Sequence, residues 1–217
     1  MNTKQSLLFP SVFLPSVDYM AIALWSKSIV IDIHENYSKQ TYRNRARILS
    51  PNGVLDLNIP VIKTKGNHTN MKDMGISFQE DWDIRVWKTI ETSYSSSPYF
   101  LYYKDELKGV ILNRKEELVD YNTELFKLVC ELIDIDIKFS FSSSFIAYGE
   151  EVELRSVIHP KKTSPLTYFD EYYQVFSEKH GFKSNLSVLD LLMNKGPESY
   201  TYLMDTIERN NKELMKF

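Results

Sequence analysis

The sequence predicts an α/β fold: a mixed sheet with an N-terminal βαβ-like unit and a hairpin, packed against several helices including a helical C-terminal region. Three observations carry that prediction. Two short apolar runs flank a helical pattern near the amino terminus, an alternating hairpin pattern follows them, and helical periodicity dominates the second half. A chain of 217 residues is long enough to bury one core without disulfides or metals. Residues 1–217 therefore read as one domain, with a strand-rich part at 1–80 and a helix-rich part at 81–217.

Leu7, Leu8 and Phe9 form the first strand, stopped by Pro10. Ser16 to Trp25 carries Val17, Met20, Ala21 and Leu24 at helical spacing, with Ser16 available as a cap. Ser28 to Ile33 is a second buried strand closing on Asp32, His34 and Glu35. The turn after the first strand is Pro-Ser-Val-Phe-Leu-Pro, so a dinucleotide fingerprint or phosphate loop is absent.

The hairpin runs from Arg43 to Leu49, through Ser50-Pro51-Asn52-Gly53, to Val54–Ile59. Strand alternation puts Asn44, Ala46 and Ile48 on one face and Arg43, Arg45 and Arg47 on the other. Lys63 to Asn70 is a polar loop, and Ile76 and Phe78 mark a short strand. Helices are predicted over Asp81–Tyr94, after Ser97-Pro98, and over Arg114–Ile133, the last capped by Asn113 with Glu116 at capping-box spacing. Ile133, Ile135, Ile137 and Phe139 alternate as a strand. A less regular stretch from Ser142 to Tyr168 follows, then Tyr172–Phe176, helical or extended. Ser187 caps a helix ended by Gly196, and Pro197 opens the last one, to about Arg209.

Composition narrows the function. A net charge of −3 argues against a nucleic-acid polymer as partner, since such proteins present a broad basic face. Cys130 is the single cysteine, which excludes an internal disulfide and a cysteine zinc site and reads as a buried, inert thiol. His34, His68, His159 and the acidic residues show no metal-ligand spacing, and no cofactor is identified. No window approaches the roughly 18 apolar residues of a membrane span, and no signal-peptide pattern is present, so the expected compartment is cytoplasmic. The 14 tyrosines are boundary residues or the walls of a sugar or base pocket.

The candidate site is the polar stretch around Lys39, Tyr42, Arg43, Asn44 and Arg45. Arginines sharing a strand face repel unless carboxylates or a bound anion neutralise them. Asp32, Glu35 and Asp56 are the available carboxylates, and a guanidinium fork equally suits a phosphate or carboxylate ligand. His34, at the carboxyl end of the second strand, is the candidate general base.

The chain resembles the WbqC-like protein family. The resemblance rests on the opening Phe9-Pro10-Ser11-Val12-Phe13-Leu14-Pro15, with Phe9 at the family's usual glutamine, on Asp32-Ile33-His34-Glu35-Asn36-Tyr37, and on Lys39-Gln40-Thr41-Tyr42-Arg43-Asn44-Arg45. Pro51-Asn52-Gly53, Tyr94 to Tyr99, Asp120-Tyr121-Asn122 and Leu186 to Gly196 add to it. It implies a part in O-antigen or other surface-polysaccharide synthesis, as a transferase on a nucleotide-linked amino sugar, with an acyl- or aminoacyl-type reaction. The ligand is then a small anion such as a nucleotide-sugar. The alternative is a non-catalytic binding or scaffold protein of that pathway, whose partner is a second copy of the chain or another glycan-pathway protein.

Overall fold

The structure, a computed structural model, describes residues 7–147 and 153–217. Leu7–Pro10 (β1), Val17–Ser26 (α1) and Ser28–Asp32 (β2) form a βαβ unit in which β1 and β2 pair in parallel. Two antiparallel pairs follow: Arg45–Ser50 (β3) with Gly53–Asn58 (β4), and Val61–Lys63 (β5) with Met74–Ile76 (β6). Helices Trp82–Tyr94 (α2), Phe100–Ile111 (α3) and Leu118–Ile133 (α4) lead to Lys138–Phe141 (β7), which pairs in parallel with β2 to give the sheet order β1-β2-β7. The chain ends in Ser177–His180 (α5), Val188–Lys195 (α6), Ser199–Arg209 (α7) and Asn211–Leu214 (α8). The mixed α/β fold with its N-terminal βαβ unit and helical C-terminal region is as the sequence predicts.

The predicted helical stripe of α2 is buried: Trp82, Val86, Ile90 and Tyr94 face the core. Apolar side chains from both halves, Leu7 to Leu214, join one cluster. In the hairpin the two-residue turn Pro51-Asn52 lies between the paired Ser50 and Gly53. Gly53 has φ +102°, a conformation that favours glycine. Cys130 is buried as expected, and burial pushes its thiol up to about 12.

Four local expectations are corrected. The α4 helix begins at Leu118, not Arg114, because residues 116–117 are drawn alongside β6: the Ile76 amide donates to the Glu116 carbonyl and Gly75 bridges Glu117. Asn113 therefore caps nothing, and its amide donates to Glu124 instead. The strand after α4 starts at Lys138, not Ile133, because Asp134 adopts a left-handed conformation (φ 59°) that closes the helix. Ser16 stands at the N-cap position of α1 as expected, but its hydroxyl caps no backbone amide and donates instead to the Asp18 carboxylate, which accepts the Tyr19 amide. Ser187 does cap α6, accepting the Leu189 amide at 3.2 Å. Part of the irregular stretch expected from Ser142 lies outside the described residues.

The helical region closes on Asp190, a buried carboxylate with no cation beside it. It accepts hydrogen bonds from the hydroxyls of Tyr94 (2.9 Å) and Tyr172 (2.7 Å) and the Gln174 amide (2.8 Å), so one side chain ties α2, α6 and the 172–174 segment together. Burial pushes its pKa up to about 6, against the pull of those three donors. The folded chain thus keeps a proton that the unfolded chain has released above its ordinary value of 3.8. The contribution of Asp190 to stability is therefore greatest below pH 4 and is lost as the pH rises to about 6. Urea denaturation of the wild type and Asp190→Asn should diverge across that window. The variant should gain on the wild type by about 1.4 kcal/mol for each step of one in pH between about 4 and 6, and no further above it.

Gly196 offers a test of packing. It has φ +54°, and a Cβ there would enter the ring of Tyr99. Gly66 has φ +61° but open space around it. Gly196→Ala should lower stability by about 2 kcal/mol or more and Gly66→Ala by about 1 kcal/mol, read as thermal midpoints.

Candidate functional site

The carboxyl ends of β1 and β2 hold a set of charges withdrawn from water: Asp32, Glu35, Arg43 and Arg155 are each at most 3% exposed. Their pairing is specific. Arg43 forks onto Glu35 and also donates to the Arg155 carbonyl. Arg155 donates to Asp32 through Nη1 and to Glu153 through Nη2 at 2.6 Å. Asp32 accepts in addition from the Ser142 hydroxyl and the His34 amide. Burial pushes the Glu35 carboxyl up, and the Arg43 guanidinium pulls it back. Burial alone would lower Arg155, but the Glu153 and Asp32 carboxylates outweigh it and raise its pKa. Asn122 of α4 locks the next layer, donating to the Ser11 hydroxyl and the Arg43 carbonyl.

The expected single face of three arginines is corrected here. The β3 strand begins at Arg45, and Arg43 lies in the turn before it, its guanidinium turned inward to Glu35. Arg45 and Arg47 do share a face. Both reach Asp56 on β4, at 2.9 and 3.2 Å, so two cations share one carboxylate. Two of the three carboxylates named from the sequence thus neutralise these arginines, while Asp32 serves Arg155. Asn44 has a structural part: its amide donates to the Ile59 carbonyl and its own carbonyl accepts the Ile59 amide, extending the hairpin ladder.

Beyond β3 lies a cavity of about 380 Å³ with a mixed polar and apolar lining. Tyr42 and Arg47 form one wall; Pro160, Lys162, Ser164 and Phe169 form another, closed by Asn185. The walls are held by their own bonds. Arg47 donates to the Pro160 carbonyl at 3.2 Å, and Lys161 reaches Gln40. Ser164 and Asn185 both donate to the buried Asp18 carboxylate at 2.8 Å. Burial, with Asp18 nearby, pushes the Tyr42 hydroxyl up to about 12, so it stays a donor at neutral pH. His159, next to this wall, has its pKa lowered by burial and by Lys162, Arg43 and Lys161.

Of the residues expected to form the site, Tyr42 lines this cavity and Arg45 lies beside its Arg47 wall. Arg43 is buried behind it. Lys39 is exposed and His34 half-buried at the end of β2, and neither lines the cavity. The opposite wall escapes a reading of the sequence because nothing there links residues 160–169 and 185 to residue 42. Arg155 carried one signal: it is the sole arginine between Arg114 and Arg209. Among the described residues no group of His, Cys, Asp and Glu could hold a metal ion, and no helix is long and apolar enough to cross a membrane.

The family pattern described as the WbqC-like protein family matches residues 11–162, well over half of the chain. The chain belongs to that family. It is also similar to an uncharacterised protein of Mycobacterium tuberculosis (strain ATCC 25618 / H37Rv), Rv1507c, at 25% identity over 230 residues, which cover 92% of this chain and 97% of the relative. No solved structure matches it. The WbqC-like match spans the whole buried charge network and one wall of the cavity, and it ends at Lys162; the wall from Thr163 to Asn185 lies beyond it.

The two kinds of ion pair should respond differently to truncation. Arg43→Ala strands Glu35 in the interior and should cost about 3–5 kcal/mol, whereas Arg45→Ala, from a partly solvated pair, should cost about 1 kcal/mol or less in the same denaturation experiment.

Proposed function

We propose that this WbqC-like protein acts as a transferase on a nucleotide-linked sugar in bacterial surface-polysaccharide or O-antigen synthesis, with the anionic part of the substrate held in the cavity beside β3. One observation supports this most: Arg47 and Lys162 face hydroxyl and amide donors across a space of about 380 Å³, within the range of small-ligand sites. Arg45 and Arg47 share a single carboxylate, which leaves an excess positive charge at that wall for a diphosphate to neutralise. The Tyr42 and Phe169 rings supply flat surfaces for a sugar or base.

In this reading the reaction is an acyl- or aminoacyl-type transfer to an amino sugar. The Tyr42 hydroxyl orients the ligand, and Arg43 acts from behind by fixing the turn that carries Tyr42. His34 and Lys39 lie outside the cavity and have no part in holding the substrate. The general base expected of His34 then requires that the reacting group extend toward the end of β2.

A scaffold role is favoured by a different observation: every arginine of the Arg43–Arg47 stretch is already bonded to a protein carboxylate, and the rings of Tyr168 and Tyr173 are more than half exposed. Thermal-shift and calorimetric titration against nucleotide-sugars, free nucleotides and acyl carriers separates the two. The expected result is stabilisation by nucleotide-sugars. Lys162→Ala and Arg47→Ala should each weaken binding about tenfold, and His34→Ala should leave it unchanged. A folded wild type that responds to no ligand class would sink the transferase reading and leave partner binding.

A further inference from the structure

The buried carboxylate of Asp18, 2% exposed, stands behind the cavity beside β3 and decides what two of its lining side chains can offer. Its Oδ1 accepts from Ser16 and from the Tyr19 amide. Its Oδ2 accepts from Ser164 and Asn185, each at 2.8 Å, and both of these line the cavity. These donors fill both oxygens, so Asp18 itself has no place for a ligand. We propose that Ser164 and Asn185, set by Asp18, are the sugar end of this site: they take one hydroxyl of the sugar and leave the diphosphate to Arg47 and Lys162. The inference rests on the nucleotide-sugar reading above and adds to it a direction for the ligand.

A carboxylate carries no hydrogen, so the Ser164 hydroxyl gives its own to Asp18. Its oxygen also accepts the Leu166 amide at 3.1 Å. One lone pair remains, and Ser164 is not free to turn and donate as an unbonded serine would. Asn185 is fixed as firmly. Its side-chain oxygen accepts the Asp18 amide at 2.9 Å, and one of its amide hydrogens goes to Oδ2. Its other amide hydrogen has no partner among the described residues. Both side chains hang on the same Asp18 oxygen, so an acceptor and a donor lie next to each other in the lining.

A hydroxyl fits that pair, because one oxygen donates to Ser164 and accepts from Asn185. A phosphate oxygen does not. It brings only lone pairs, and against Ser164 it would leave two acceptors facing each other without a hydrogen. Arg47 and Lys162 offer the reverse, positive charge and donors only. The cavity is polarised, and a nucleotide-linked sugar has one way round in it. A site built to hydrogen-bond a hydroxyl strongly rejects a ligand that lacks it, so Ser164 and Asn185 determine specificity and Asp18 positions them. Both lie beyond residue 162, where the family match ends.

Calorimetric titration of the full chain with uridine diphosphate, thymidine diphosphate and the glucose conjugate of each separates sugar from anion. Ser164→Ala should weaken the glucose conjugates about fivefold and leave the bare diphosphates unchanged. Lys162→Ala should weaken conjugate and diphosphate alike. Asp18→Asn should resemble Ser164→Ala, and the double substitution should be no worse than either, whereas a merely structural role would add. Melting curves establish that each variant is folded, and Asn185→Ala replaces Asp18→Asn if the latter is not. A Ser164→Ala variant that weakens diphosphate and conjugate equally, or neither, overturns the proposal and leaves the anion site standing. A wild type that binds none of the four compounds overturns the nucleotide-sugar reading, and this inference with it.

Discussion

Asp32 is the constraint on which the carboxyl end of the sheet depends. Its carboxylate is fully withdrawn from water and accepts from Arg155, Ser142 and its own neighbour's amide at His34. A carboxylate moved out of water without such partners costs several kcal/mol, so the last residue of β2 dictates what must come to it. The nearest arginine in sequence, Arg43, is taken by Glu35, and Arg155 is brought in from 123 positions away. Arg43 then donates to the Arg155 carbonyl, so the two pairs form one assembly. Removing any member leaves an uncompensated charge in the interior.

That assembly has a geometric consequence for the cavity. Glu153 bridges Leu8 of β1, Arg155 is fixed to β2, and five residues later Pro160 accepts from Arg47 of β3. The segment from 153 to 162 is therefore pinned at successive points to three separate strands. Its end, carrying Pro160 and Lys162, becomes a wall whose position is set by ion pairs made some distance away. Leu154 and Ile158, both buried in the core, hold the same segment from the inside.

The periodic parts of this fold could be read in the sequence. The α2 stripe, the βαβ unit, the hairpin turn and the Ser187 cap each follow from local rules, and each is found. What misled were places where a distant partner overrides local preference. Asn113 and Glu116 have capping-box spacing, yet β6 needs the Glu116 carbonyl, and the helix starts one turn later. Arg43 has the alternation of a strand residue, yet Glu35 draws it into the interior. The site shows the same division. The arginines and their carboxylates Glu35 and Asp56 were legible because all lie within one short stretch. Arg155, Ser164 and Asn185 were not, because their closeness to β2, Asp18 and Tyr42 exists only in the folded chain.

What the cavity beside β3 can recognise follows from how its walls balance charge. Beside β3, two arginines share Asp56, and Lys162 adds a further cation, so the balance favours an anion small enough to reach all of them. Hydrogen bonds from Ser16, Ser164, Asn185 and the Tyr19 amide fix the Asp18 carboxylate beneath that wall, where it offsets only part of the excess.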